Sequence, residues 1–208
     1  MYLKITRSGV RLLLLSAVMA CLGGCLGGGD KVAFYVVNPA DLRMLDADGN
    51  AEKVSIELLN LRVPAYLERS HIAVRTGENS MTFSEYNQWG ENLRKNLMRT
   101  LSRNLGHLLD TSEISTPLNR SSSEPDYRLE VLIDQFELDS DGYVRLSARW
   151  QLIDAASDAP LGLKSADLTA GRTVDGNDYE SMVGEMRDLF GQLSVMIAED
   201  IRAARRAG

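Results

Sequence analysis

Cysteine is scarce in this chain: its 208 residues hold two, Cys21 and Cys25, and none follows. A C-x3-C spacing with no second ligand pair nearby is a poor metal or redox motif. Positive charge is also short, with 23 Lys+Arg against 29 Asp+Glu and a formal net charge of −6. An acidic chain lacks the basic footprint of a nucleic-acid surface and has no general electrostatic affinity for anionic lipid. No apolar run reaches the ~20 residues that a membrane-spanning helix needs. Catalytic signatures are missing too: the histidines, His71 and His107, do not form H-E-x-x-H, and there is no G-x-S-x-G elbow. Internal repeats are absent, and the one low-complexity run is Ser121–Ser123.

The first two dozen residues have a different character. Lys4, Arg7 and Arg11 form a basic start without an acidic residue, and Leu12–Ala20 is apolar apart from Ser16. That is the build of a secretory signal peptide, to be left out of fold reasoning. It runs straight into a cysteine, and so resembles a bacterial lipoprotein signal, in which the cysteine becomes the mature N-terminus and carries diacylglyceryl and N-acyl chains. Two registers fit, Val18-Met19-Ala20-Cys21 and Leu22-Gly23-Gly24-Cys25. The second has leucine at −3, glycine at −1 and the longer apolar stretch, which favours Cys25 as the lipidation site, with Cys21 as the alternative. A plain signal peptide with two incidental cysteines is the third reading. Several acyl chains, at ~0.8 kcal/mol per buried CH₂, make a stable anchor where one does not. Cleavage before Cys25 takes three of the 23 basic residues and none of the acidic ones, moving the formal charge from −6 to −9. The expected organisation is a signal peptide over 1–24, the lipidated cysteine and a flexible Gly-rich tether over 25–31, and one domain over 32–208, a length that supports its own core.

Within that domain, VAFYVV (Val32–Val37) is a continuous apolar run that predicts a buried first strand, ended by Asn38-Pro39. A polar loop around Asp46–Asn50 precedes a second strand over Val54–Val63, stopped by Pro64. Short extended pieces, His71–Arg75 and Met81–Phe83, flank a turn at Thr76–Asn79. Trp89, Leu93, Leu97, Leu101, Leu105 and Leu108 step by three or four, which predicts an amphipathic helix starting near Ser84. Thr111–Asp126 reads as a loop. Tyr127, Leu129, Val131 and Ile133 share one strand face, and the phase then shifts to Phe136 and Leu138, which calls for a bulge near Asp134-Gln135. Asp139–Gly142 is a hairpin turn. Val144–Leu152 is the cleanest alternating strand, and Leu161–Val174 a weaker return. The last element is a long helix with Asn177-x-x-Glu180 as its capping box and Met182, Met186, Leu189, Phe190, Leu193, Ile197 and Ile201 as its buried stripe. The expected fold class is α+β, a single domain with a mostly antiparallel or mixed sheet and two long amphipathic helices packed on it.

The spacing of several blocks resembles the PqiC/YmbA family, the ABC-type transport auxiliary lipoproteins. Val63, Pro64, Tyr66 and Leu67 match its V-x-V-P-x-Y-L block; Ile72, Val74 and Arg75 match the strand that follows; Trp89, Leu93 and Leu97 match its leucine helix. Phe34–Val37, with Tyr35, sits where the family has an aromatic strand about ten residues after the lipid cysteine, which also favours Cys25. Leu129–Phe136, Gly142–Leu152 with Trp150, and Tyr179 with Met182-Val183 continue the match. The resemblance implies a lipid-anchored protein on the periplasmic face of the outer membrane, docking an MCE-domain (PqiB-like) partner in intermembrane lipid transport and envelope integrity. Leu26 rather than aspartate follows Cys25, so the enterobacterial inner-membrane retention signal is absent. A ring- or tube-shaped partner would favour a matching symmetric assembly, hence an expectation of self-association. No cofactor beyond the covalent lipid, no metal and no nucleic acid is implied.

Each block also has a plain structural reading. Pro64–Leu67 is then a strand-ending turn with its aromatic inward, against a partner-binding role for Tyr66 or the loop Glu68–His71. Trp89 and Trp150 are core anchors before they are ligand platforms, and the methionines of the last helix face the core. His107, near a helix end, reads as a capping group, and His71 has no carboxylate placed to orient it. The rivals to a transport adaptor are a structural envelope lipoprotein and, less favoured, a periplasmic hydrolase.

Overall fold

In a computed structural model, residues 31–42, 54–117, 119 and 123–207 are described. The expected signal peptide, Cys21, Cys25, the tether up to Asp30 and the Asp46–Asn50 turn lie outside them. The described residues form one α+β domain, an open mixed sheet of eight strands with two helices.

The sheet is organised around β6 (Tyr127–Leu138). One edge of β6 pairs antiparallel, along its whole length, with β7 (Val144–Asp154), which pairs in turn with β8 (Ala159–Thr169). Two strands share its other edge. The first half takes β2 (Ile56–Arg62) in parallel, from Ile56↔Tyr127 to Arg62↔Leu132. The far end meets β3 (His71–Gly77) through the single bridge Val74↔Leu138. Beyond β3 lie β4 (Ser80–Trp89) and the edge strand β1 (Ala33–Tyr35), and beyond β2 the two-residue β5 (Ile114–Ser115). The register of β6 on β7 shifts between Ile133 and Gln135, the bulge that the phase change demanded. At the turn between them Gly142 has φ +84°, a conformation glycine adopts without strain.

Helix α1 (Leu93–Leu108) buries Leu93, Leu97, Leu101, Leu105 and Leu108, and α2 (Tyr179–Ala207) buries Met182, Met186, Leu189, Phe190, Leu193, Ile197 and Ile201. Both stripes are those the spacing predicts. The Phe136 and Phe190 rings stack 6.1 Å apart between sheet and helix. Between the helices, Asn104 Nδ2 donates to Ser194 Oγ, which donates back to Phe190 O.

The N-terminal segment is fastened along both helices. Tyr35 packs on Tyr179. Asn96 serves both backbone groups of Val37, accepting from its N–H at 2.8 Å and donating to its carbonyl at 3.2 Å, and Thr100 Oγ1 donates to the same carbonyl. Further on, a Cβ on Gly191 would sit 2.7 Å from Ala40 Cβ, so this glycine is what lets the segment cross α2 so closely. His107 Nε2 donates to Leu42 O at 2.6 Å.

Four expectations need correction. The run Val32–Val37 gives a strand of three residues, at a sheet edge and with one face open: Phe34 is 66% exposed. The helix expected from Ser84 begins at Leu93, because Ser84–Trp89 is claimed by pairing with β1 (Tyr35↔Trp89) and β3 (His71↔Gln88), and Asn92 then caps the helix by accepting from Lys95 N. Trp89 lies four residues before Leu93, which mimics one more helical turn. The second helix is capped by Asp178, whose Oδ1 accepts from Ser181 N, rather than by Asn177. His107 holds the carbonyl of Leu42, not those of its own helix end.

Candidate functional site

The Val74↔Leu138 bridge puts those two residues on one face of the sheet and their neighbours Arg75 and Glu137 on the other. There Arg75 Nε and Nη2 donate to Glu137 Oε1 at 3.1 and 2.8 Å. From the far side of the carboxylate, Tyr66 donates its hydroxyl to Oε2 at 2.6 Å. Gln135 Nε2 and the Phe136 N–H complete the set at 3.1 and 3.0 Å. Glu137's side chain is fully buried, and every contact it makes is with a donor, the arrangement an ionised carboxylate takes. Burial and the bond to Glu137 push the Tyr66 phenol well above its ordinary value, with Arg75 opposing. The same carboxylate, through its hydrogen bond, raises Arg75 against the effect of burial.

Local sequence explains how Tyr66 reaches this point. Pro64 ends β2 in extended backbone (ψ 149°) and opens a 3₁₀ turn, Ala65–Glu68, closed by Leu67 N on Pro64 O. The turn sends Leu67 into the core and Tyr66 toward β6. In the loop that follows the family-motif block, Glu68, Arg69 and Ser70 are exposed. Arg69 lies over the Phe83 ring at 4.4 Å, and Arg94 pairs with Glu68 at 3.4 Å.

The other motif residues lie apart from this cluster. Tyr35 donates to Asn87 Oδ1 at 3.2 Å and packs its ring 6.2 Å from that of Tyr179. Burial, then Glu180 and Asp178, raise its phenol. Trp89 is a core residue, and its backbone N–H donates to Ser70 O. Trp150 is buried and donates Nε1 to Asp200 Oδ2 at 2.8 Å, on the floor of a cleft of about 420 Å³ between β7, β8 and the end of α2. Cys21 and Cys25 lie outside the described residues.

Two groups central to these contacts carry no sequence signal, Glu137 and Asp200. Glu137 falls between Phe136 and Leu138 on a strand, where alternation assigns it to an outer face; only the chain folded over that face buries it. His71 is flanked by Ser70 Oγ at 3.2 Å and Gln88 Nε2 at 3.4 Å, with no carboxylate in either place. Among the described residues no group of three or more His, Cys, Asp or Glu is placed to hold a metal, and no helix is long and apolar enough to cross a membrane. The arrangement is that of a braced scaffold: one carboxylate ties the turn after β2 to β3 and β6.

No curated protein matches the chain. Crystal structures that share its fold include the following two. One, of an uncharacterised protein, is 20% identical with a TM-score of 0.64, over 82% of this chain and 99% of that one. The other, from Xanthomonas campestris and assigned to a DUF330 family, is 12% identical with a TM-score of 0.61, over 81% of this chain and 90% of that one. A family profile described as ABC-type transport auxiliary lipoprotein component matches residues 35–198, from β1 to the middle of α2 and through the Tyr66–Arg75–Glu137 cluster. The chain belongs to the ABC-type transport auxiliary lipoprotein family.

Proposed function

We propose that this protein is a non-enzymatic adaptor, anchored through acylated Cys25 to the periplasmic face of the outer membrane. It docks an MCE-domain (PqiB-like) protein in intermembrane lipid transport. The observation that carries the reading is the family match over 35–198, which makes the chain an auxiliary component of a transporter. A lipoprotein needs an acylated cysteine, and Cys21 and Cys25 are the two present. The anchor fixes one end of the domain at the membrane, while the braced sheet supplies a rigid surface. Tyr66 is committed to Glu137, so of the two candidates for partner contact the loop Glu68–His71 is the one within reach, through its exposed Glu68–Ser70.

Co-purification tests the proposal. The lipidated protein, extracted from cell envelopes in mild detergent, is expected to bring with it an MCE-domain protein of the same cell. Absence of that protein, with the lipoprotein itself recovered from the outer membrane, would favour a structural envelope role instead.

A further inference from the structure

Edge strand β1 and its flanks have two unlike faces. The inward residues are fastened: Tyr35 to Asn87 and Tyr179, Val37 to Asn96 and Thr100. The alternate residues Val32, Phe34 and Val36 point outward and are 42%, 66% and 38% exposed. Because the inward set is pinned, the strand cannot turn to hide them; a one-residue slip would bring Val37 out instead. Neighbouring positions on β4 add no charge. Gln88 is the register partner of Phe34, and just past the end of β4 a Cβ on Gly90 would lie 3.3 Å from Val36 Cγ1 and 3.9 Å from Phe34 Cβ. Tyr86, just ahead, is exposed as well. In a chain one quarter of whose residues are charged, this is an uncharged apolar stripe with an aromatic at its centre.

Its place in the chain names its occupant. Val32 follows Cys25 by seven residues, so a fully extended tether spans at most about 25 Å. A Gly-rich chain of that length averages only about 15 Å end to end. The stripe is held beside the bilayer at high effective concentration, where a weak apolar partition is enough to keep it there. Electrostatic attraction is not available to so acidic a protein; insertion of apolar side chains into the headgroup boundary is.

We infer that Val32, Phe34 and Val36 form a membrane-contact face that seats the domain against the bilayer holding its own lipid anchor. This rests on the anchoring reading above, and it gives the anchored domain a fixed orientation. Edge strand β1 lies toward the lipid, and the surfaces beyond β6 face away from it.

Processing at Cys25 removes Cys21 and blocks the Cys25 thiol as a thioether, so Phe34→Cys introduces a lone reactive thiol into the lipidated protein. The full lipoprotein carrying an environment-sensitive fluorophore at that position is placed in vesicles of phosphatidylethanolamine and phosphatidylglycerol with nitroxide-labelled lipid. Leu163→Cys, an exposed apolar site on β8, is the control; Val32→Cys, which keeps Phe34, is the second test site. Expected are a blue-shifted emission and several-fold stronger quenching by lipid nitroxide at positions 34 and 32 than at 163. Flotation with the vesicles but equal quenching at all three sites overturns the contact face and leaves the anchor standing. Protection from iodide without nitroxide quenching places the stripe against another copy of the chain and also overturns it. Failure to float, with an unmodified Cys25, overturns the anchoring reading and this inference together.

Discussion

The phenol of Tyr66 donates to Glu137 Oε2 at 2.6 Å, joining residues 71 positions apart. With Arg75 on the other oxygen, this bond ties the Pro64 turn, β3 and β6 into one unit. A buried charge held in this way stabilises only while its partners remain.

Glu137→Ala leaves Arg75 and Tyr66 facing a vacated site. Loss of at least about 1.5–3 kcal/mol is expected, because hydrogen bonds to a charged group are lost while the partly exposed Arg75 can be solvated. Tyr66→Phe removes one bond to a charged group and is expected to cost about 1.5–3 kcal/mol. Urea unfolding followed by far-ultraviolet circular dichroism checks both. Values near zero would mean that the cluster braces nothing.

The Tyr66 phenol is raised in the folded protein, so the unfolded chain loses this proton first. Its contribution is fully present below the unfolded tyrosine value of about 10 and is lost as pH climbs from there through the higher folded value. Above pH 10 the wild type is expected to lose stability more steeply than Tyr66→Phe, by up to about 1.4 kcal/mol per pH unit. Tyr35 and Tyr127 are also raised, and comparison with the single variant cancels their share. Parallel pH curves would contradict the assignment.

Asp139 closes the β6–β7 turn, accepting from the N–H groups of Asp141 and Tyr143 and from Arg145 Nε. Burial alone would raise its carboxyl, but the Tyr143 N–H, the Arg145 guanidinium and the Asp141 N–H together hold it low. A lowered folded value gives stability that is present above the unfolded value of about 3.9 and disappears as pH falls through the folded one. Asp139→Asn is expected to cost about 1.5–3 kcal/mol at neutral pH. The gap from wild type should narrow toward pH 3, as read from thermal unfolding across pH.

Gly191→Ala tests the crossing of the N-terminal segment. In an open helix the change would gain about 1 kcal/mol; here the new Cβ falls 2.7 Å from Ala40, and a net loss of about 1–3 kcal/mol is expected. Hydrogen exchange should quicken in residues 37–42, and Ala40→Gly should restore protection. A stabilised Gly191→Ala protein would show that the segment moves aside freely.

Where one physical rule acted alone, the sequence was a sufficient guide. Val144–Leu152 alternates without interruption, and its strand appears as expected. The slip from Ile133 to Phe136 placed the bulge near Asp134-Gln135, and the register shifts between Ile133 and Gln135. Both helix stripes followed from their spacing. The errors came where two rules overlapped. Trp89 continues the leucine period and also fills the last position of β4, and pairing with β1 and β3 decided between them. Asn177 and Asp178 can each cap a helix, and backbone geometry chose Asp178. The Glu137 cluster was half legible: Tyr66 and Arg75 belong to recognisable blocks, but the residue they converge on is marked by nothing before the chain is folded. Phe34 looked like core because a run of apolar residues does not say which face the sheet will cover.

The docking of an MCE-type partner proposed above is open to a direct binding measurement. The most direct test is a titration of vesicle-borne lipoprotein with the purified periplasmic domain of an MCE-domain protein from the same organism, read by biolayer interferometry. Saturable binding is expected, weakened by charge reversal at the exposed Glu68 and Arg69 and unchanged by Leu163→Ser on β8. No binding by the folded, lipidated wild type would contradict the account.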